Sequence, residues 1–181
     1  MIEVKELNIK EIKLIKTKRF RDDRGFFQQN YNINDYIDAG IESKFIQDNW
    51  SRSKKGTLRG LHYQLKNPQS KLIQVICGEV YDVAVDMRIN SPTFGQWIGE
   101  YLSEENGHQL YIPKGFAHGF LALSSEVDFI YKCDNHYIPN DDFGVCWNDK
   151  SLDIDWPLDK NLIISNKDKS LPLFKDAHYF E

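Results

Sequence analysis

The stretch Leu72-Ile73-Gln74-Val75-Ile76-Cys77-Gly78-Glu79-Val80-Tyr81-Asp82-Val83-Ala84-Val85 decides the fold, because two strand-like runs are separated only by Gly78-Glu79. Both runs are rich in Ile and Val, which favour strands. Glycine in the first position of a two-residue loop favours a type II′ turn, since that turn needs a positive φ there. The stretch therefore predicts a β-hairpin.

Similar runs rich in Ile, Val, Phe, Tyr and Leu recur along most of the chain, with Gly, Pro, Asn or Ser between them. Their spacing of roughly eight to twelve residues is typical of a β-sandwich or barrel. So many strands in so short a chain predict an all-β jelly roll with few helices. We expect strands near residues 12–17, 25–31, 45–52, 56–63, 71–77, 80–87, 95–102, 109–112, 115–122, 127–134 and 143–147.

One short helix is expected between the second and third of these strands. Asn34 can cap residues 35–39 with its side chain, and Gly40 can adopt the left-handed conformation that often ends a helix.

The chain is predicted to be one domain over residues 1–181, because no repeat, low-complexity tract or linker interrupts it. We expect the jelly-roll core at about residues 20–150. The segment from Asn148 onward should wrap the barrel through the hydrophobic side chains of Trp156, Leu158, Leu162 and Ile164.

The charge balance argues against nucleic acid as a partner, since the formal net charge is −4 and the pI is about 5.7. Residues 1–18 lack the apolar core of a signal peptide, and no apolar run reaches the roughly 18 residues of a membrane span. We expect a cytoplasmic protein with no membrane partner.

A candidate for chemistry lies in the segment Leu58-Arg59-Gly60-Leu61-His62-Tyr63-Gln64. It sets a titratable ring beside a fixed cation, which suits proton removal next to an anion. Strict alternation along a strand would place Arg59 and His62 on opposite faces, unless Gly60 introduces a bulge. The structural alternative is an exposed arginine beside a hydrogen-bonded strand histidine.

His118 lies in a second glycine-punctuated strand, and neighbouring strands of one sheet would bring it into the same pocket as His62. A metal site is disfavoured, because jelly rolls that bind iron or manganese need several converging imidazole and carboxylate ligands. The chain has no His-x-His, and Gln64 stands where a second histidine would be needed. Taken singly, Lys71 and Tyr131 could be a solvated lysine and a half-buried sheet tyrosine.

A set of motifs in one order carries a resemblance to a known family. They are Arg24 to Phe27, Gln47 to Ser51, Leu58 to Gln64, Gln69 to Leu72, Asp82 to Arg88, Ser91 to Gly95, Ile112 to Phe120, Tyr131-Lys132, Trp147 to Asp149, Asp155 to Pro157 and Ser165 to Asp168. Over about residues 20–170 the chain resembles the dTDP-4-dehydrorhamnose 3,5-epimerase family.

The resemblance implies a cupin-type jelly roll, a homodimer, no metal and no organic cofactor. The implied substrate is a nucleotide-diphosphate sugar with a C4 ketone and a 6-deoxy group. By matching positions, His62 is the base, Asp168 its carboxylate partner and Tyr131 the acid on the opposite face, while Lys71 lies at the C4 oxygen.

The resemblance also implies binding residues. Arg24, Arg59 and Lys167 would hold the sugar and diphosphate, and Arg24, Phe27 and Gln29 would reach across the dimer interface. Further pocket residues are Gln47, Asn49, His118, Asp142 and Tyr137, the last of which would stack on the base. Relatives commonly carry Glu at positions 29 and 142, so the Gln29 and Asp142 of this chain could retune which nucleotide or sugar fits.

Other functions stay open at this point. The same chemistry could act on a GDP-linked 4-keto-6-deoxyheptose in capsule or lipopolysaccharide synthesis, or invert C3 alone. A metal-dependent cupin would rest on His62 and His118. A non-catalytic sugar-binding jelly roll would rest on the aromatic strands and on Trp50, Trp97, Trp147 and Trp156.

Overall fold

A computed structural model describes residues 2–157 and 161–181, and most of its regular structure is strand. The strands are β1 (Ile2–Glu6), β2 (Lys13–Thr17), β3 (Arg19–Asp22), β4 (Gly25–Gln28), β5 (Gln47–Lys54), β6 (Thr57–Gln64), β7 (Lys71–Cys77), β8 (Glu79–Asp86), β9 (Trp97–Ser103), β10 (His108–Ile112), β11 (Phe116–Ala122), β12 (Glu126–Cys133), β13 (Asp142–Gly144) and β14 (Ile163–Ile164). The helices are α1 (Ile33–Asp38), α2 (Asn166–Lys169) and two 3₁₀ turns, Pro139–Asp141 and Phe174–Asp176.

Two antiparallel sheets pack face to face, as predicted for a jelly roll. The first has the strand order β1-β2-β10-β7-β12-β5. The second has the order β13-β6-β11-β8-β9, with β14 parallel to β6. Apolar side chains from both sheets fill the space between them, including Ile73, Val75, Ala84, Phe120 and Phe129.

The second sheet is buried on both faces, which explains why β8 is so apolar. Val80 and Ala84 face the core between the sheets. Val83 and Val85 face the other way, into a second cluster that the C-terminal segment covers. The covering side chains include the predicted ones Trp156, Leu162 and Ile164. Leu158 lies outside the described residues.

The predicted hairpin at Gly78 is wrong, because β7 and β8 belong to different sheets. Gly78 does have a positive φ of 78°, but the turn carries the chain from one sheet to the other. β8 pairs with β9 and β11. A Cβ at Gly78 would lie 2.3 Å from the carbonyl oxygen of Glu126, so close packing against β12 requires glycine there. Gly78 alone connects the two strands, and a glycine with a positive φ can form a corner between sheets as well as a hairpin turn.

The short helix is present, but its predicted cap is wrong. Asn32, not Asn34, is the N-cap, and its side chain accepts a hydrogen bond from the Asn34 amide. The helix therefore begins at Ile33, two residues before the predicted start. Gly40 has a φ of 73°, as its predicted left-handed conformation requires.

The first sheet starts earlier in the chain than the expected core. β1 pairs with β2 through residues 2–6, and β2 pairs with β10. β1, β3 and β14 have no counterpart among the predicted strands. None of the helices in the described part of the chain is long and apolar enough to cross a membrane.

Candidate active site

A cavity of about 500 Å³ lies between the two sheets. The first sheet supplies one wall through β7, β12 and β5. Every second residue of these paired strands faces inward. Lys71 is opposite Cys133, Ile73 is opposite Tyr131, and Tyr131 is opposite Asn49. Lys71 and Tyr131 therefore share the inward face of adjacent strands.

The second sheet supplies the opposite wall through a β-bulge in β6. His62 pairs with His118, but Arg59 pairs with Phe120, so two residues of β6 face the single residue Gly119. The extra residue places Arg59 and His62 on the same side, and both line the cavity. Gly60 has a φ of 113°. The bulge at this glycine is the condition under which the sequence allowed Arg59 and His62 to lie on the same face.

His62 and Asp168 form a hydrogen-bonded pair in this cavity. The His62 Nε2 lies 2.8 Å from Asp168 Oδ1. Asp168 is in the first turn of α2, where Ser165 caps the helix by accepting a hydrogen bond from the Asp168 amide. A neutral His62 ring that donates from Nε2 to the carboxylate keeps its lone pair on Nδ1. The arrangement fits a base whose tautomer is held by a carboxylate.

Asp168 is suited to remain charged beside the imidazole. Burial, the largest single influence, would raise the pKa of this carboxyl. Hydrogen bonds from His62 and the Gly60 amide, together with the attraction of His62, outweigh burial and lower the pKa below its usual value. An ionised Asp168 stabilises the positive charge that His62 gains when it accepts a proton.

A second imidazole and carboxylate pair lies beside the first. His118 Nε2 is 3.0 Å from one oxygen of the fully buried Asp82 and 3.1 Å from the other. Burial lowers the pKa of His118, although Asp82 acts in the opposite direction. The His118 ring stacks on Phe129 with centroids 6.1 Å apart.

Lys71 is suited to stabilise an enolate oxygen, and Tyr131 is suited to donate a proton. Burial lowers the pKa of the Lys71 amine. Burial also raises the pKa of Tyr131 to about 12, so its phenol is protonated at neutral pH. Both side chains line the cavity together with His62.

A second cavity of about 270 Å³ shares His62, Lys71 and Tyr131 with the first. Its other walls bring together four more predicted binding residues, Gln47, Asn49, Tyr137 and Asp142. The Tyr137 hydroxyl donates to Asp142 Oδ2 at 2.8 Å, and the same carboxylate oxygen pairs with Lys167. Lys167 lines the main cavity, so Asp142 connects the two spaces.

The contacts of Asp142 with Tyr137 and Lys167 raise the pKa values of both partners. The hydrogen bond to Asp142 raises the pKa of Tyr137. Burial alone would lower the pKa of Lys167, but the ion pair with Asp142 outweighs burial and raises it.

Three predicted binding residues do not line these cavities. Arg24 and Phe27 lie on the β3–β4 hairpin, a separate two-stranded sheet, and Gln29 follows it. The Arg24 side chain is 90% exposed and pairs with Asp22. Phe27 is 68% exposed. Within one chain, neither cavity that His62 lines includes them.

Ser51 and Gln64 line the cavities but are absent from the predicted site residues. Ser51 Oγ is buried in the wall of the main cavity and, among the buried side-chain nitrogen and oxygen atoms of the described residues, is alone in having no hydrogen-bond partner. Alternation along β5 sets Ser51 on the same face as Gln47 and Asn49, a signal that could have identified it. Gln64 follows His62 on β6 by two residues and shares its face.

Of the residues behind the metal-dependent and the sugar-binding alternatives, His62 and His118 both line the main cavity. Among the described residues, one group of three side chains could hold a metal ion, and it consists of Cys77, Glu126 and Asp128, none of which lines either cavity. The four tryptophans do not line these cavities either. Trp50 is 67% exposed.

Comparison with known proteins identifies the family of this chain. An epimerase from Pseudomonas aeruginosa, dTDP-4-dehydrorhamnose 3,5-epimerase, is 49% identical over 96% of this chain and 97% of its own. The crystal structure of the Legionella pneumophila dTDP-6-deoxy-D-glucose-3,5-epimerase, in complex with dTDP-4-keto-L-rhamnose, superposes with a TM-score of 0.96 at 48% identity and covers 97% of this chain and 94% of its own. The Bacillus anthracis dTDP-4-dehydrorhamnose 3,5-epimerase, with TDP and pyrophosphate bound, gives a TM-score of 0.93 at 48% identity and covers 96% of this chain and 99% of its own. Residues 6–176 match the family model for dTDP-4-dehydrorhamnose 3,5-epimerase, and the chain belongs to that family.

Proposed function

We propose that this chain epimerises C3 and C5 of a dTDP-linked 4-keto-6-deoxy sugar. The observation that carries the proposal is the His62–Asp168 pair, joined at 2.8 Å in a cavity that Lys71 and Tyr131 also line. The names of the similar enzymes, and the dTDP-4-keto-L-rhamnose bound by one of them, support this choice of substrate.

The first half of the reaction removes a proton next to the ketone. The C4 carbonyl acidifies the hydrogens on C3 and C5, and His62 takes one of them through its free ring nitrogen. The electron pair of the broken C–H bond moves onto the C4 oxygen as an enolate. The Lys71 ammonium stabilises the enolate oxygen, and Asp168 stabilises the imidazolium.

The second half returns a proton on the opposite face. Tyr131 projects from the first sheet, whereas His62 projects from the second, so the sugar would lie between an acid and a base. Protonation of the enolate carbon by the Tyr131 phenol restores the ketone and inverts the centre. The phenolate and the imidazolium then exchange protons with solvent, which resets both groups for the other carbon.

The nucleotide and diphosphate would occupy the second cavity and its border with the first. Tyr137 offers a partly exposed ring for the base, and the Arg59 and Lys167 cations suit the diphosphate. His118, Gln47 and Asn49 supply hydrogen-bonding groups along the pocket. No step in this scheme requires a metal or an organic cofactor.

We further propose that the enzyme is a cytoplasmic homodimer in which Arg24, Phe27 and Gln29 complete the partner's pocket. Exposure of Phe20, Phe26 and Phe27 on one small hairpin supports an interface, since exposed apolar patches on monomers commonly mark one.

Incubation in heavy water tests the reaction. With the dTDP-linked 4-keto-6-deoxyglucose, NMR and mass spectrometry should show solvent deuterium at both C3 and C5, and the variant His62→Asn should abolish incorporation at both. Deuterium at C3 alone would instead identify a C3 epimerase. Incorporation only with a GDP-linked heptose would replace the substrate, and none with any candidate would overturn the proposal.

A further inference from the structure

We propose that Gln64 is a positioning residue that holds the loop carrying Tyr137 in place for the nucleotide, an inference that rests on the proposed function. Gln64 is the last residue of β6, two residues after the base His62. Its side chain is 4% exposed. An amide with this burial must find hydrogen-bond partners or destabilise the fold.

The partners of Gln64 lie in two different loops. Its Nε2 donates to the carbonyl oxygen of Asn67 at 2.7 Å and to that of His136 at 3.0 Å. Its Oε1 accepts from the Ile138 amide at 2.6 Å. The residues on either side of Tyr137 are therefore both fastened to one side chain.

Both donor hydrogens of the Gln64 amide are thus used within the protein. To donate a hydrogen bond to the nucleotide, Gln64 would need an N–H that is exposed and not already bonded. Neither of its two N–H groups meets that condition. Its effect on the ligand must pass through the loop that it holds.

The Tyr137 loop has further attachments, although Tyr137 itself is about half exposed. Gln69 Nε2 donates to the carbonyl oxygen of Asn135 at 2.8 Å. The Tyr137 amide donates to Gln47 Oε1 at 3.0 Å, and its hydroxyl donates to Asp142. A ring held in this way loses little conformational entropy when a flat base stacks on it. Among these supports, Gln64 is the one that belongs to β6, the strand of the base, so it connects the nucleotide end of the pocket to the reacting end.

The isosteric variant Gln64→Glu tests the inference. It keeps the shape of the side chain but sets a carboxylate oxygen against the Asn67 and His136 carbonyls, which repels both loops. We expect the dissociation constant of dTDP and the KM of the nucleotide sugar to rise about tenfold, with kcat within about threefold of the wild type. Gln64→Met, which removes the bonds without adding charge, should act in the same direction and serves if the glutamate variant does not fold.

A double-mutant cycle with Tyr137→Ala separates positioning from direct contact. If Gln64 acts through Tyr137, Gln64→Glu should have little further effect on dTDP affinity once the ring is gone. Equal losses in both backgrounds would overturn the inference. Gln109→Glu is the control. Like Gln64, Gln109 is a buried amide that donates to two oxygens, so the change also buries a carboxylate beside them. Gln109 lines neither cavity. The change should lower the melting temperature and leave dTDP affinity unchanged.

Hydrogen exchange gives a readout that does not depend on the substrate. The Tyr137 amide bonds to Gln47 and not to Gln64, so its faster exchange in Gln64→Met would report a loosened loop rather than a lost acceptor. Unchanged Tyr137 exchange would overturn the positioning role even if dTDP proves to be the wrong nucleotide. Failure of the wild type to bind dTDP, with faster exchange in the variant, would overturn the proposed substrate alone.

Discussion

The partly buried lysine of the site shows how one residue can set the pH range of the reaction. Lys71 begins β7 and lies in the cavity wall beside Tyr131. Burial disfavours its charged form and lowers its pKa from the ordinary 10.5. In the proposed mechanism the charged form is the useful one, because it stabilises the enolate oxygen.

The rate should therefore decline at alkaline pH because of Lys71. The cation is fully present below its pKa and is lost as the pH rises through that value, so the decline in kcat/KM should begin below the pH expected for an ordinary lysine. In Lys71→Arg the guanidinium stays charged, since its ordinary pKa is about 12.5 or higher. The variant should be slower, by about tenfold or more, but without this alkaline decline.

Measured pH profiles of kcat/KM for both proteins check the assignment, with circular dichroism at each pH as the control for unfolding. Tyr131, with a pKa of about 12, cannot cause a decline at lower pH in the free enzyme. The same alkaline decline in wild type and Lys71→Arg would show that another group is responsible.

At the scale of the elements, the bulge in β6 decides whether the site can exist. Gly60 has a φ of 113°, and a Cβ there would lie 2.6 Å from the Gly119 Cα and 2.7 Å from the His118 carbonyl oxygen. Both obstacles are backbone atoms of the paired strand, so neither can rotate away. The bulge and the close approach of β6 to β11 therefore depend on glycine at this position.

We expect Gly60→Ala to lose roughly 3 kcal/mol or more of folding free energy from backbone strain and overpacking. Because the strain would separate Arg59 from His62, kcat/KM should also decrease at least about a hundredfold. Urea unfolding and steady-state kinetics measure the two effects. Gly40→Ala is the matched control, since Gly40 also has a positive φ of 73° but a Cβ there would meet only the flexible Lys13 side chain. It should lower stability and leave kcat/KM unchanged, whereas an active Gly60→Ala would contradict the role of the bulge.

The sequence predicted most strands and the jelly roll, because alternation and turn spacing are local signals. It could not show which strands are neighbours. The Gly78 turn has the same local appearance in a hairpin and in a corner between sheets, and the long-range pairing of β7 and β8 with other strands distinguishes the two. β1 was missed because its Glu and Lys residues, which suit an exposed edge strand, weaken the apolar signal. The role of Gln64 depends on contacts with His136 and Ile138, which are distant in sequence.

At the scale of the whole molecule, the predicted site divides into a part that one chain completes and a part that it does not. His62, Lys71, Tyr131 and Asp168 meet in one cavity. The β3–β4 hairpin carries Arg24 and Phe27 outward, with both side chains largely exposed. A closed dimer in which each hairpin enters the other subunit's pocket would explain both the exposure and the matching family positions.

Mixed dimers test this arrangement directly. One chain carries His62→Asn with an intact hairpin, and the other carries Arg24→Ala with Phe27→Ala and an intact base. Each homodimer should be inactive or nearly so, because every one of its sites has a defect. Co-expression gives random pairing, in which half of the dimers are mixed and each has one intact site, so the activity of the unselected mixture should recover to roughly a quarter of the wild type. Pairing His62→Asn with Tyr131→Phe is the control, because both changes lie in a chain's own cavity and each site of the mixed dimer keeps one defect. No recovery in the first mixture, or full activity of the hairpin variant alone, would show that the hairpin does not complete the partner's site.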